Sequence, residues 1–306
     1  MLIDVLMYGG LFVGSLVVLL KGSDWFVDSA EEIGLSMGIS PFLIGVTIVA
    51  FGTSLPELAA SIASVLADDS KIVVGNVVGS NITNIALVLG LTALVAKEIK
   101  LEYNIWHIDM PYLWGSAFFL WLALKDLHLS LGEAILFLGG IGIFLAYSFK
   151  QSDGYGTKTK SSWKTYAFFV LGGAFVWVGA KYTITAITQL STMVGIGSEI
   201  IALTAVALGT SLPEVIVSIN AARKGKTSIA VGNVLGSNIF NTYVVMAIPS
   251  FLGTLEIPPQ IMDFSMPLMI VMTILFGMVS NNKNITRWEG LLLILFYAFF
   301  LVESFK

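Results

Sequence analysis

Glu57 and Glu214 each close the hexapeptide Gly-Thr-Ser-Leu-Pro-Glu, which occurs twice, at 52–57 and at 209–214. Both copies lie in the middle of long apolar stretches. A carboxylate at the centre of a membrane helix costs at least about 2.5–3.5 kcal/mol, so such a group faces a polar cavity and marks an ion pathway. The proline immediately before each glutamate lacks a backbone donor and displaces the carbonyl four residues before it. Those carbonyls belong to Gly52 and Gly209. Unpaired carbonyls at membrane depth are tolerated only where they face protein, water or an ion. Thr53, Ser54, Thr210 and Ser211 add hydroxyls beside each break.

A second motif follows each of these. Gly75-Asn76, Gly79-Ser80-Asn81 and Asn84 are matched by Gly232-Asn233, Gly236-Ser237-Asn238 and Asn241. Ser80 and Asn84 are four residues apart and share a helix face, as do Ser237 and Asn241. Gly75 and Gly79 share another face that allows close helix approach. Asn76, Asn233, Asn81 and Asn238 read either as ligands or as inter-helix hydrogen-bonding groups. Two carboxylates, several hydroxyls, amide oxygens and freed carbonyls make an all-oxygen site. Hard cations such as Ca²⁺ take six to eight oxygens at about 2.3–2.6 Å. The chain has no cysteine, and neither His107 nor His128 lies in a motif, so zinc, copper and iron are poorly served. With both glutamates ionised, one Ca²⁺, two Na⁺ or two protons would neutralise the site. Cations that exclude one another at the same charges are the physical basis of exchange.

These residues need a membrane framework, and the composition supplies one. Of 306 residues 56% are hydrophobic and only 12% charged, with a mean hydropathy of +0.88, whereas soluble domains carry roughly 25% charged residues. Apolar segments of about 18–25 residues suit helices crossing a core of roughly 30 Å and do not alternate as barrel strands do. The spacing predicts helices at 3–22, 41–66, 71–95, 106–125 and 130–149, then at 165–188, 198–222, 227–252, 264–280 and 287–305. The N-terminus has no basic region and no small-residue cleavage site, so it reads as a retained first helix.

The chain is internally duplicated. Residues 47–62 and 204–219 are identical at eleven of sixteen positions, and 74–84 and 231–241 at nine of eleven, both at an offset of 157. The polar stretch 149–164 separates the copies. The expected fold class is an all-α membrane protein of ten transmembrane helices: a first five-helix repeat at 1–149, a linker at 150–164 and a second at 165–306. Five helices per half reverse the chain direction, so the repeats are expected inverted, a common design of secondary transporters. Lys and Arg set the orientation. Twelve fall on the linker side (Lys21, Lys97, Lys100, Lys150, Lys158, Lys160, Lys164, Arg223, Lys224, Lys226, Lys283, Arg287) and four on the other (Lys71, Lys125, Lys181, Lys306). The linker is therefore expected in the cytoplasm and both termini outside. The acidic run Asp24, Asp28, Glu31 and Glu32 reads as a solvated mouth after the first helix, and Asp109 and Asp263 as acids favoured at helix N-termini.

The paired motifs resemble the alpha repeats of the calcium/cation antiporter superfamily, most closely its prokaryotic sodium/calcium exchangers. The resemblance covers essentially the whole chain. It implies Glu57 and Glu214 as central Ca²⁺ ligands, completed by the carbonyls of Thr53 and Thr210. It implies Na⁺ held by the same glutamates with Ser54, Ser211, Ser80, Ser237 and the carbonyls of Ala50 and Ala207, and Asn84 and Asn241 at the site centre. It also implies that the first and sixth helices slide as a pair across the other eight, and glycines 9, 10, 14, 172, 173 and 179 fit that role. Some relatives carry an acid where this chain has Asn241, and the K⁺-dependent branch uses aspartates in this region; here Asn84 and Asn241 are both neutral, which points away from a K⁺ requirement. Proton/calcium exchangers carry an acid after the Gly-Asn pair, where this chain has Gly-Ser at 79–80 and 236–237.

The expected function is thus a secondary antiporter of a plasma membrane, exchanging Na⁺ for Ca²⁺ by alternating access; the alternative is a Ca²⁺/H⁺ or broader cation antiporter of the same fold. No cofactor, nucleic acid or obligate protein partner is expected; the partners are Ca²⁺, Na⁺, in the alternative H⁺, and the lipid bilayer. No Gly-x-x-x-x-Gly-Lys-Ser/Thr loop supports an ATP-driven pump. A channel would need a continuous pathway rather than broken helices in inverted repeats. An intramembrane enzyme leaves the symmetrical oxygen shell unexplained, and no His-Glu-x-x-His helix is present, so the chain is not expected to be an enzyme.

Overall fold

The structure, a computed structural model, describes residues 2–101, 103–151, 160–193 and 209–304. Its helices are α1 (Leu2–Ser36), α2 (Pro41–Leu66), α3 (Lys71–Ala96), α4 (Asp109–Ala123), α5 (Leu131–Gln151), α6 (Trp163–Met193), α7 (Leu212–Arg223), α8 (Thr227–Ser250), α9 (Ile261–Ser280) and α10 (Arg287–Ser304). Seven of these are long and apolar enough to cross a membrane. The other three differ for identifiable reasons. α4 has only 15 residues. Residues 194–208, shortly before α7, lie outside the described ones. α10 carries Arg287, Glu289 and Glu303 within its 18 residues.

Local signals set the helix ends. Ser40 accepts from the Leu43 N–H ahead of Pro41, which occupies the first turn of α2, where a missing donor is harmless. α5 opens with a capping box: Ser130 N–H donates to Glu133 at 2.8 Å and Glu133 N–H to the Ser130 hydroxyl at 3.3 Å. Thr286 and Glu289 repeat this device before α10. Each box satisfies two otherwise orphaned donors. A short antiparallel ladder was not expected from the sequence. β1 (Glu98–Lys100) pairs with β2 (Asn284–Thr286), with Ile99 opposite Ile285, both buried.

α8 lies wholly inside the protein, and α3 nearly so, whereas α1, α5 and α6 sit at the periphery. α1 packs along α6 in antiparallel fashion: Ser15 meets Thr183, Leu19 meets Gly179, Gly22 meets Val176 and Phe26 meets Gly172. A methyl group on Gly22 would come within 2.8 Å of the Val176 nitrogen, and one on Gly179 within 2.7 Å of the Leu19 backbone. Glycine is therefore required for this approach. The expected glycines are partly corrected: Gly172 and Gly179 lie in the contact, Gly22 joins them, and Gly9, Gly10 and Gly14 have no neighbour in the direction of a side chain among the described residues.

The first helix was expected to end near residue 22 but runs to Ser36. The acids that suggested a solvated mouth are part of it. Asp24, Asp28 and Glu31 pair with Lys224 and Lys226 at 2.6–2.8 Å, while Glu32 accepts from the Thr165 hydroxyl at 2.6 Å. Neutralised in this way, the acids no longer mark a helix end, and Lys21 sits inside the helix. Asp109 begins α4 as expected, yet it is fully buried, and neither carboxyl oxygen has a hydrogen-bond partner among the described residues. Of the expected linker, residues 152–159 lie outside the described ones.

Candidate cation-binding site

One Gly-Thr-Ser-Leu-Pro-Glu motif lies within α2 and the other runs into the start of α7, and both backbones leave helical geometry at the serine. Ser54 has φ −88° and ψ 3°, Ser211 φ −85° and ψ 0°. Pro56 and Pro213 then start new helical segments in their first turn, with Glu57 and Glu214 one residue on. The offset of 157 residues thus places equivalent residues in equivalent conformations. The prolines supply the cause, since neither can donate to the preceding turn.

α3 and α8 pass beside these breaks. In each, the helix widens to a π turn at the last asparagine of the motif, over Asn84–Leu89 and Asn241–Val245. π turns inside α-helices recur at functional sites. α8 crosses α2 at backbone contact: a methyl group on Gly232 would collide with the Phe42 carbonyl, and one on Gly236 with the Val46 carbonyl. The positions matching these neighbours at the 157 offset, 199–207, lie outside the described residues; among the described residues a side chain on Gly75 would meet only Ile261 and one on Gly79 nothing.

The side chains form a cage whose bonds recur in pairs. The Thr53 hydroxyl donates to Asn233 Oδ1 at 3.1 Å, and the Thr210 hydroxyl to Asn76 Oδ1 at 3.1 Å. Thr53 lies 3.5 Å from the Ser237 hydroxyl, and Thr210 3.4 Å from that of Ser80. Asn76 Nδ2 donates to the Ser61 hydroxyl at 3.0 Å, and Asn233 Nδ2 to the Ser218 hydroxyl at 3.0 Å. The bonds of the first two pairs map onto each other when 157 is added to one residue and subtracted from the other, and those of the third when 157 is added to both. Ser54 also donates to Glu214 Oε1 at 3.3 Å, so the carboxylate of one half touches the break of the other.

All the expected ligand residues that are described are buried, except Thr210, which is half-buried; Ala207 lies outside the described residues. Several of their polar atoms have no hydrogen-bond partner among the described residues. They are both oxygens of Glu57, Oε2 of Glu214, both side-chain polar atoms of Asn84 and of Asn241, and the Ser211 hydroxyl. Buried polar groups are nearly always paired, and leaving one unpaired costs about 1–3 kcal/mol. Oxygens from two carboxylates and neutral donors, converging without partners, fit hard cations. No cluster of three or more His, Cys, Asp or Glu occurs among the described residues, so among them the cage carries two carboxylates. The Ala50 carbonyl accepts from the Ser54 N–H at 3.0 Å and from the Thr53 hydroxyl at 3.4 Å, so both its lone pairs are engaged.

Asn76 and Asn233, left open by the sequence, hold the cage together: each ties the break of one half to the helix of the other. Ser61 and Ser218 were not singled out, although both fall within the sixteen-residue match and are identical there. Asn81 donates to Thr242 at 3.1 Å and Asn238 to the Val234 carbonyl at 2.6 Å, so both lie in helix packing.

Comparison with known proteins accords with this geometry. The model of the family described as "Sodium/calcium exchanger protein" matches residues 7–150 and 164–306. Sodium/calcium exchanger MaX1 of Methanosarcina acetivorans is 35% identical, over 95% of this chain and 96% of its own length. Inner membrane protein YrbG of Escherichia coli is 32% identical, over 90% and 89%. A structure of the sodium-calcium exchanger NCX_Mj soaked with 10 mM Na⁺ and 10 mM Sr²⁺ superimposes with a TM-score of 0.85 at 30% identity, covering 96% of this chain and 97% of that one. Matched in both halves by the family and along nearly its whole length by these relatives, the chain is an integral membrane protein of the sodium/calcium exchanger family.

Proposed function

We propose that the protein is a secondary antiporter that exchanges Na⁺ for Ca²⁺ by alternating access, with both ions competing for Glu57 and Glu214. The observation that carries this reading is the cage itself. Two fully buried carboxylates with unpartnered oxygens stand at symmetry-related helix breaks. Ca²⁺ is held by the two carboxylates with the carbonyls of Thr53 and Thr210, and Na⁺ by the same carboxylates with Ser54, Ser211, Ser80 and Ser237. The Ala50 carbonyl joins a Na⁺ site only by releasing the Thr53 hydroxyl, and Ala207 has the equivalent role by the repeat. Asn84 and Asn241 line the centre.

The framework we propose is ten membrane-crossing helices in two inverted five-helix repeats, 1–149 and 165–306, in a plasma membrane. The antiparallel contact between α1 and α6, which are equivalent at the 157 offset, supports the inversion. The bias of Lys and Arg toward the linker side supports a cytoplasmic linker and extracellular termini. The α1–α6 pair is the mobile unit: it lies at the periphery and meets itself through glycines.

The test is ⁴⁵Ca²⁺ uptake into proteoliposomes preloaded with Na⁺, with K⁺, or with an imposed pH gradient. Uptake that requires internal Na⁺ supports the proposal. Uptake that follows the pH gradient whatever the alkali ion moves the function to Ca²⁺/H⁺ antiport on the same site.

A further inference from the structure

The ion pairs between α1 and the α7–α8 turn have a counterpart in which the charges are exchanged. Asp24, Asp28 and Glu31 occupy one face of α1. Lys224 Nζ lies 2.8 Å from Asp24 and 2.8 Å from Asp28, and Lys226 Nζ lies 2.6 Å from Asp28 and 2.7 Å from Glu31. Asn220 adds bonds to Ser23 at 3.0 Å and Asp24 at 3.1 Å. The lysines are placed firmly. Only three residues join α7 to α8, with Gly225 at φ +76°, a conformation glycine adopts without strain. Lys226 N–H is bonded to the Ala221 carbonyl at 2.8 Å. The lysines therefore belong to the enclosed core, while the acids belong to the peripheral pair.

At the 157 offset Asp24 corresponds to Lys181 on α6, and Lys226 to Asp69 in the α2–α3 turn, beside Asp68. In this half the cation is on the peripheral helix and the acids are on the core turn. Here they are apart. Lys181 lies over the Trp177 ring at 6.0 Å. Among the described residues, neither it nor Asp68 nor Asp69 has an ion-pair partner. A cavity of about 390 Å³ opens between the two helices on this side, lined by Ala59, Ala60, Lys181, Thr185, Gly209 and Thr210. It reaches Thr210, a member of the cage.

We infer that the two charge sets are complementary latches: Asp24, Asp28 and Glu31 with Lys224 and Lys226 at the linker end, and Lys181 with Asp68 and Asp69 at the other. They close alternately as the α1–α6 pair shifts. The linker-side latch is shut in this structure and the opposite one open, with the cavity leading to the cage on the open side. Inverted repeats exchange their conformations when the site changes face, so the shift that breaks the first set carries Lys181 toward Asp68 and Asp69. Ion pairs that form in only one state bias a two-state equilibrium without touching the ion. This inference rests on the exchange reading above and adds what holds each end state.

The full-length chain, which has no cysteine, allows a direct test in proteoliposomes. One variant combines Asp28→Cys with Lys226→Cys, a second Lys181→Cys with Asp68→Cys, and each is oxidised across a series of Na⁺ and Ca²⁺ concentrations. Cross-linking is read by gel mobility. The expected result is that both pairs cross-link under ion conditions that favour opposite faces, and that each cross-link stops ⁴⁵Ca²⁺ exchange until reduced, while ⁴⁵Ca²⁺ binding from one face persists. The inference is overturned if the second pair never cross-links, or if exchange runs at the unlinked rate with the first pair linked. Because cross-linking is read without transport, alternation in a protein that shows no Na⁺-dependent exchange would sink the exchanger reading and leave the latches standing. As a second measurement, Lys224→Glu with Lys226→Glu should shift the ratio of Ca²⁺ affinities at the two faces on the order of tenfold, since several part-exposed pairs are lost together. An equal loss at both faces would instead assign the pairs to folding alone.

Discussion

At the scale of single residues, the cage separates the groups proposed to meet the cation from the groups that hold them. Glu57→Gln or Glu214→Gln removes one of two charges that Ca²⁺ must neutralise. Either variant is expected to abolish ⁴⁵Ca²⁺ exchange in proteoliposomes while the protein still elutes as a monodisperse peak, because an amide buried there avoids the cost of a buried charge. Normal exchange in either variant would remove that glutamate from the site. Asn76 and Asn233 act differently. Each bonds a threonine and a serine on opposite sides, so Asn76→Ala or Asn233→Ala leaves two buried hydroxyls short of a partner, at about 1–3 kcal/mol. A lower unfolding temperature together with weaker Ca²⁺ binding is expected in a thermal-shift titration. Full stability would show that the pairing is dispensable. These residues show how the sequence was read. The burial of the motif glutamates at the helix breaks was legible because a carboxylate in an apolar run has few explanations. The asparagines were not, since an amide serves equally as ligand or as strut, and only the partner across 134 or 180 positions decides.

At the scale of elements, the second and third helices were read almost to the residue. α2 spans Pro41–Leu66, because Pro41 and the polar stretch after Leu66 punctuate it. α1 was misread by fourteen residues, because pairing between Asp28 and Lys226 is invisible to any local window. The β1–β2 ladder was missed for the same reason: its three-residue strands lie in different halves. The glycines provide a contrast between elements. Gly232→Ala drives a methyl group into the α2 backbone, where neither side can yield easily; overpacking of this kind costs about 1–3 kcal/mol. Gly9→Ala on α1 meets nothing among the described residues and is expected to raise helix propensity slightly. Differential scanning fluorimetry of the two variants in detergent checks the difference. Equal melting temperatures would mean that α2 and α8 do not approach as closely as described.

At the scale of the whole molecule, the 157-residue repeat carried most of what was legible, because one offset aligns helices, breaks and the polar residues of the cage together. Topology was reached through the count of Lys and Arg rather than through any contact, and it has its own test. In this cysteine-free chain, Tyr155→Cys in the linker is expected to react with an impermeant maleimide only after permeabilisation, and His128→Cys between α4 and α5 to react in intact cells. The reverse pattern would invert the assigned orientation while leaving the cage unchanged.

The cross-linked pattern of hydrogen bonds in the cage also constrains how the protein is made. Thr53 finds Asn233 and Ser237, and Asn76 and Ser80 find Thr210, only after the ribosome has delivered the second half. Until then, Asn76 keeps its bond to Ser61, but Thr53, Ser80 and the Asn76 Oδ1 lack their partners from the second half, a state open to water, chaperones and membrane proteases. Completion of the cage and release from quality control are therefore expected to coincide. A chain truncated at the linker should be short-lived in the membrane, and the separately encoded second half should rescue it.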